Sequence, residues 1–395
     1  MLGIYLFIPL GVLGLIRWSC WLVHRVPSTF YQPVVTGHRE DVSLVVPVYQ
    51  EDPVLFRRAI ESWLRNDVQE IICVVDVTDD VCAGIAREYQ PKVTTLLTDV
   101  PGKRAALRDG WMVATSPIVA LVDSDTIWAD DVADRLCEPF LDPEVGGVGT
   151  RQNALDPIGV WQNAADMYLD YRYFDEIAAQ TLVGRAVSCL SGRTAAYRRD
   201  LLVSFNHDFM NETFLGVHCM SGDDKRLTCL TLMAGYRTVL QRNARVWSTF
   251  PDTFRQFRKQ RLRWARNTWR SDLRSMGQGW VWKYPMLAFM EVDKMVSGFT
   301  LLFSMTVLLL AIYHHAWLGA ITLVCWWLVS RAAKMLPHLR RRPENLRLLP
   351  AFIAVSLIMA VVKICALLTI RKQQWLTRQV AVVDGQVQRT GGAPA

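Results

Sequence analysis

Four short runs of aliphatic and β-branched residues decide what this chain can fold into. Val42–Val48 (VSLVVPV), Ile71–Val77 (IICVVDV), Val93–Leu97 (VTTLL) and Ile118–Val122 (IVALV) read as strands, most of them nearly without polar interruption. Between them, Pro53–Arg65, Val81–Tyr89 and Lys103–Ala114 have the period of amphipathic helices. A strand apolar on both sides is covered on both faces, and strands separated by helices pair in parallel. Residues 41–250 are therefore expected to form an α/β unit around a mostly parallel sheet. In such sheets ligands gather at the carboxyl ends of the strands.

The flanks follow a different rule. Residues 1–16 carry no charge, and with Trp18, Trp21 and Leu22 the apolar stretch reaches about 23 residues, enough for roughly 30 Å of hydrocarbon. No basic leader or small-residue cleavage site accompanies it, so 1–24 reads as an anchor helix. Pro27, Pro33 and Gly37 mark 25–40 as a linker. Arg25 and Arg39 on its far side put the following unit in the cytoplasm. Residues 251–294 are basic and aromatic, as interface helices are, and Arg255, Arg258, Lys259, Arg261, Arg266 and Arg270 suit anionic headgroups. Residues 295–370 hold the runs Met295–Tyr313, Ala316–Ser330 and Leu348–Ile370 around a basic interfacial segment, 331–347. A polar tail, 371–395, follows. About four membrane segments are expected, in a multi-pass plasma-membrane protein. Three late spans put the tail outside, whereas Arg371, Lys372 and Arg378 favour the cytoplasm.

Composition narrows the class. With 51% hydrophobic and 21% charged residues the chain is not disordered. A net charge of +7 suits nucleic acid, an anionic membrane or a phosphate-bearing substrate. The basic residues cluster beside apolar runs, which argues against nucleic acid. Nine cysteines without a C-x-x-C pair read as reduced thiols, not as a zinc ribbon.

Acidic residues close the strands. Asp76 ends the second, and Asp123 and Asp125 end another in ALVDSD. In extended chain a D-x-D sets both carboxylates on one face, where hard oxygens suit Mg²⁺ or Mn²⁺. Lys103 and Arg104, in PGKRAAL, open a helix where phosphate binds readily. In Ser221–Lys225 (SGDDK), Asp223 and Asp224 either cap a helix or supply a general base. Gln260, Arg263 and Trp264 share one helix face, where arginine meets a leaving diphosphate and indole stacks on a sugar.

Taken in order, VPVYQED, Asp76, GKR, DSD, SGRTAAYRR, SGDDKRLT and QRLRW, flanked by apolar spans, resemble the processive family-2 glycosyltransferases over residues 40–380. These are the membrane synthases of cellulose, chitin and hyaluronan. The chain is most similar to hyaluronan synthases, with chitooligosaccharide synthases next. It differs in Arg193, usually proline there, in Leu376 for glycine within WLTR, and in its single N-terminal span. The resemblance implies a GT-A-type, Rossmann-like fold, UDP-sugar donors, a growing polysaccharide acceptor and Mg²⁺ or Mn²⁺. It implies that Tyr49, Glu51 and Asp76 hold uridine and Lys103 contacts the donor. Asp123 and Asp125 hold diphosphate and metal, with Asp125 a direct ligand. Asp224 is the base beside Asp223, and Gln260, Arg263 and Trp264 close over diphosphate and acceptor. Cys189, Ser191 and Gly192 line the acceptor site, and Arg378 belongs to a nucleotide-contacting segment. Competing readings are a transferase using UDP-GlcNAc alone, another exopolysaccharide synthase, a decayed binding protein, and a polyprenyl-phosphate sugar transferase, which usually lacks Q-x-x-R-W.

Overall fold

The computed structural model describes residues 12–372, 380–383 and 386–389. Up to residue 250 the strands are β1 Val42–Val48, β2 Glu70–Asp76, β3 Val93–Thr98, β4 Ile118–Val122, β5 Ile127–Trp128, β6 Val145–Ala154, β7 Thr194–Arg198, β8 Thr213–Phe214, β9 Val217–His218 and β10 Arg237–Ser248. One sheet runs in the order β3-β2-β1-β4-β7-β6-β10-β5. The first four are parallel, as the apolar runs predict, and so are β6 and β10. Every residue of β1 is buried. Pro47 is tolerated there because the ladder to β4 has already ended, at Val45 opposite Leu121.

Helices Pro53–Leu64 and Asp80–Glu88 cover one face, burying Phe56, Ile60 and Trp63. Lys103–Val113 covers the other, with Trp111 and Phe209. Its Gly110 permits the close approach, since a Cβ there would lie 2.3 Å from Val45 Cγ1. β7 enters antiparallel between β4 and β6, with Thr194 opposite Val122. The segment leading into β7 is thereby delivered to the carboxyl end of β4.

Beyond the sheet the chain is helical, with Phe254–Gly277, Pro285–Tyr313, Trp317–Lys334, Leu336–Arg341 and Leu349–Leu368. Among the described residues, two stretches are long and apolar enough to cross a membrane by length and composition. They are Pro285–Tyr313, with 29 residues and mean hydropathy 2.2, and Pro343–Leu368, with 26 residues and 2.6. Trp317–Lys334 is not one of them, and its last turn carries Arg331 and Lys334. The N-terminal stretch is described as helix Leu13–Ser28. Phe299, Phe303, Leu309, Leu310 and Ile321 are exposed, an outward apolar surface suited to lipid.

The Phe254–Gly277 helix corrects one expectation. Arg255 and Arg258 are exposed, but Arg261, Arg266 and Arg270 are buried and cannot meet headgroups. The helix packs along Leu349–Leu368. Trp269 Nε1 donates to the Lys363 carbonyl at 2.9 Å, Arg266 to the Thr369 hydroxyl at 2.9–3.0 Å and Arg270 to the Ile370 carbonyl at 3.3 Å. Cys20, Cys73, Cys82, Cys137, Cys189, Cys229, Cys325 and Cys365 are free thiols.

Candidate active site

The acidic residues meet where the parallel strands end. Tyr49 and Glu51 follow β1, and Asp76 closes β2. Glu51 Oε2 accepts from the Ser124 hydroxyl at 2.7 Å, tying the β1 loop to the D-x-D loop. Asp76 accepts from the Thr78 amide at 3.0 Å and its hydroxyl at 2.6 Å, which fixes the carboxylate at the strand end.

Because β7 is antiparallel, Cys189–Arg193 lies against two acidic loops. The Asp123 amide donates to the Arg193 carbonyl at 3.2 Å, and the Gly192 amide donates to the Asp224 carboxylate at 3.4 Å. Lys103 Nζ bridges Asp123 at 2.6 Å and Asp223 at 2.9 Å. Burial opposes its charge, but the two carboxylates outweigh that and hold the ammonium above the usual lysine range. Asp223 moves the other way: burial is outweighed by Lys103, and its carboxyl falls below the usual range. At position 192 a Cβ would stand 3.0 Å from Lys103 Nζ and 3.5 Å from Asp224 Cβ, so a larger residue there would press on the lysine bridge.

Asp125 accepts from the Thr249 hydroxyl at 2.8 Å. Burial, then the charge of Asp123, raises its carboxyl, against the pull of Arg193 and Thr249. Two neighbouring carboxylates fit a divalent cation, and oxygen donors suit Mg²⁺ or Mn²⁺.

Asp224 opens helix Asp223–Met233, with the Lys225 amide donating to its Oδ1 at 2.8 Å. Lys225 itself is buried, pairs with Asp272 and stands 3.8 Å from Glu291. The residue after Asp224 is thus pinned to both the Phe254–Gly277 and Pro285–Tyr313 helices. No sequence motif announces this, because Lys225, Asp272 and Glu291 lie on three separate elements.

A cavity of about 510 Å³ begins at these groups. Cys189, Ser191, Asp224 and Trp264 line it, together with Ser304, Trp327, Ser356 and Lys363 of the later helices. Burial pushes the Cys189 thiol up to about 12, so it stays protonated. Gln260 Oε1 is buried and accepts no hydrogen bond among the described residues. Arg263 stands one residue before Trp264 on the same helix. Lys363 donates to the Ser297 hydroxyl at 3.2 Å and to the Lys294 carbonyl, and Asp293 pairs with Arg17. The structure thus gathers Lys103, Asp123, Gly192, Asp223 and Asp224 into one cluster. Trp264, Cys189 and Ser191 share the cavity with Asp224. Arg378 and the rest of WLTR lie outside the described residues.

A second acidic group, Asp166, Asp170 and His338, is compact enough to share an ion. Its cation is already in place. Arg341 reaches Asp166 at 2.5 Å and Asp170 at 2.6 Å, and His338 Nδ1 lies 2.9 Å from Asp170. The group fastens helix Val160–Tyr171 to the Leu336–Arg341 segment.

Residues 38–267, more than half of the chain, match the family described as glycosyltransferase like family 2. An N-acetylglucosaminyltransferase of Rhizobium meliloti is 30% identical over 90% of this chain and 85% of its own length. A type 2 glycosyltransferase of Gibberella zeae is 28% identical over 99% of this chain and 78% of its own. A mannosyltransferase from Pyrobaculum calidifontis, solved with GDP-Man and Mn²⁺, superposes with a TM-score of 0.64 at 19% identity, covering 93% of this chain and 98% of that one. The likeness establishes a GT-A-like fold, as the family resemblance implies, with the mostly parallel sheet that the strand pattern predicts.

Proposed function

This chain belongs to glycosyltransferase family 2, and from that premise we propose a multi-pass plasma-membrane transferase with a cytoplasmic active site. It adds N-acetylglucosamine from UDP-GlcNAc to the end of a growing β-linked glycan and passes the product into the bilayer region. The observation that carries this reading is the cavity, which runs from Asp224 and Trp264 to Ser304 and Ser356 between apolar helices. A polar polymer needs a protein-lined path of this kind through hydrocarbon. The GlcNAc donor rests on the likeness to N-acetylglucosaminyltransferases.

The reaction is a single displacement with inversion. The acceptor hydroxyl, lying on Trp264, attacks C1 of the donor sugar. Its proton passes to the Asp224 carboxylate as the O–C1 bond forms, and the C1–O bond to UDP breaks. Tyr49, Glu51 and Asp76 hold the uridine at the ends of β1 and β2. Lys103, Gln260 and Arg263 face the diphosphate, and Cys189, Ser191 and Gly192 shape the acceptor end. Arg378 contributes from the tail. A divalent cation on Asp125 and Asp123, Mg²⁺ or Mn²⁺, would supply neutralisation of the diphosphate charge.

A second reading, alternating UDP-GlcNAc and UDP-GlcA as a hyaluronan synthase does, is favoured by the arginine-rich wall around Trp264. Purified protein in detergent with Mn²⁺ and labelled UDP-GlcNAc separates the two. Polymer from UDP-GlcNAc alone is expected on the first reading. Polymer only with both donors establishes the second, and no incorporation from either refutes the donor class.

A further inference from the structure

The wall of the cavity beside Trp264 carries more positive charge than the reaction described above uses. Arg261 is 6% exposed and makes no hydrogen bond or ion pair among the described residues. Its neighbours are aromatic faces: its guanidinium lies 4.8 Å from the Trp264 ring, 4.9 Å from Phe257 and 5.9 Å from Tyr168. Arg193 approaches the same indole at 5.4 Å and Phe250 at 4.4 Å, and its Nε is held by the Ser248 hydroxyl. Both residues line the cavity with Asp224. The acids on that wall are largely committed elsewhere, Asp272 to Lys225, Asp293 to Arg17 and Glu176 to Lys294.

A guanidinium covered on its flat faces offers its edges, a planar fork of donors that matches two oxygens of one anion. Leaving such a fork buried without a partner is costly, so the arrangement is built for a ligand that brings the oxygens. Lipid headgroups cannot supply them, because Arg261 is enclosed. Burial, with the charges of Arg193 and Arg172 adding, pulls Arg261 down only to about 10, so it remains a cation at neutral pH.

We propose that Arg193 and Arg261 form an oxyanion-binding pair beside Trp264, receiving phosphate or carboxylate oxygens of the bound ligand. The proposal rests on the reading of this cavity as the transfer site. The two sources of oxygen are the UDP diphosphate and the carboxylate of an acidic sugar in the glycan.

The test is binding rather than turnover, on the full chain in detergent with Mn²⁺. Three probes are titrated: UDP, a chitin tetrasaccharide, and a tetrasaccharide alternating N-acetylglucosamine with glucuronic acid. Arg261→Gln and Arg193→Gln are each expected to weaken one oxyanion probe about 10- to 100-fold, with the chitin tetrasaccharide unchanged. Arg→Lys at either position keeps the charge, loses the fork and is expected to restore only part of the affinity. Loss confined to UDP assigns the pair to the diphosphate; loss confined to the glucuronate tetrasaccharide assigns it to the sugar chain. Affinities within twofold of the parent for both oxyanions, in variants whose melting matches the parent, overturn the proposal. Arg193 is only half-buried, so its variant remains a usable test if the Arg261 variants do not fold. A parent chain that transfers no sugar would refute the transfer reading, while these titrations would still decide the pair.

Discussion

Asp224→Asn is expected to lower sugar transfer by about 10²–10⁴-fold while UDP binding stays at the parent level. The substitution keeps shape and volume but removes the group that accepts the acceptor's proton. Its surroundings make it a clean change. Asp224 receives the Lys225 amide on Oδ1 at 2.8 Å and the Gly192 amide on Oδ2 at 3.4 Å; asparagine keeps the shorter bond through its one carbonyl oxygen and gives up the longer one. Lys225 remains tied to Asp272 and Glu291, so the helix start stays put. Turnover from labelled UDP-GlcNAc and UDP affinity by titration, on protein of unchanged melting behaviour, are the two measurements. Parent-like turnover would remove Asp224 from the role of base. Parallel loss of UDP binding would show instead that the residue holds the site together.

The second large effect concerns stability. Arg341→Ala is expected to cost about 3–5 kcal/mol, because it strips a shared cation from two buried carboxylates, Asp166 and Asp170. His338 and Asn153 still reach Asp170, at 2.9 and 3.0 Å, and the cations that stay are more distant, Arg151 at 3.4 Å from Asp170 and Arg342 at 3.9 Å from Asp166. Release of the 331–347 segment should come first, so proteolysis there should precede global unfolding. The pH dependence has a definite sign. Burial works to raise the Asp170 carboxyl, but the hydrogen bond from His338 and the charge of Arg341 overcome it and hold the group well below the usual range. A carboxyl depressed in the folded state contributes stability above its unfolded value of about 3.9, lost as pH falls further. The parent should therefore hold this fastening through neutral and mildly acidic pH and weaken only below about pH 4. A variant whose segment resists protease as well as the parent does would show that apolar packing alone fastens it.

How far the sequence reaches can be seen residue by residue. β1 and β4 occupy the residues expected from their apolar runs, because burial on both faces leaves no polar position to blur the ends. β7 was not legible: TAAYR is short, and its antiparallel entry depends on β4 and β6, some 70 and 40 residues away. The acidic loops were visible as motifs, but the Lys103 bridge that joins them was not, since its partners come from two different loops. Arg261 failed for another reason. A run rich in arginine reads as one charged face, yet a 24-residue helix presents every side, and one side packs inward. Asp166 and Asp170 resembled surface acids until Arg341 arrived from 171 residues downstream.

Lys103 also governs how the site responds to salt. With its ammonium between Asp123 and Asp223, Lys103 already supplies a counter-charge to the carboxylate that, on the proposed reading, would help hold the divalent ion and nucleotide. On that reading loading would be an exchange of partners, with Lys103 turning from Asp123 toward the incoming phosphate. Two bare carboxylates would draw cations over a Debye length of about 8 Å at physiological ionic strength, and added salt would mask them. An exchange among groups already paired proceeds at contact distance. Donor affinity at this locus should accordingly be set by fit, and be much less sensitive to ionic strength than the net charge of the chain suggests.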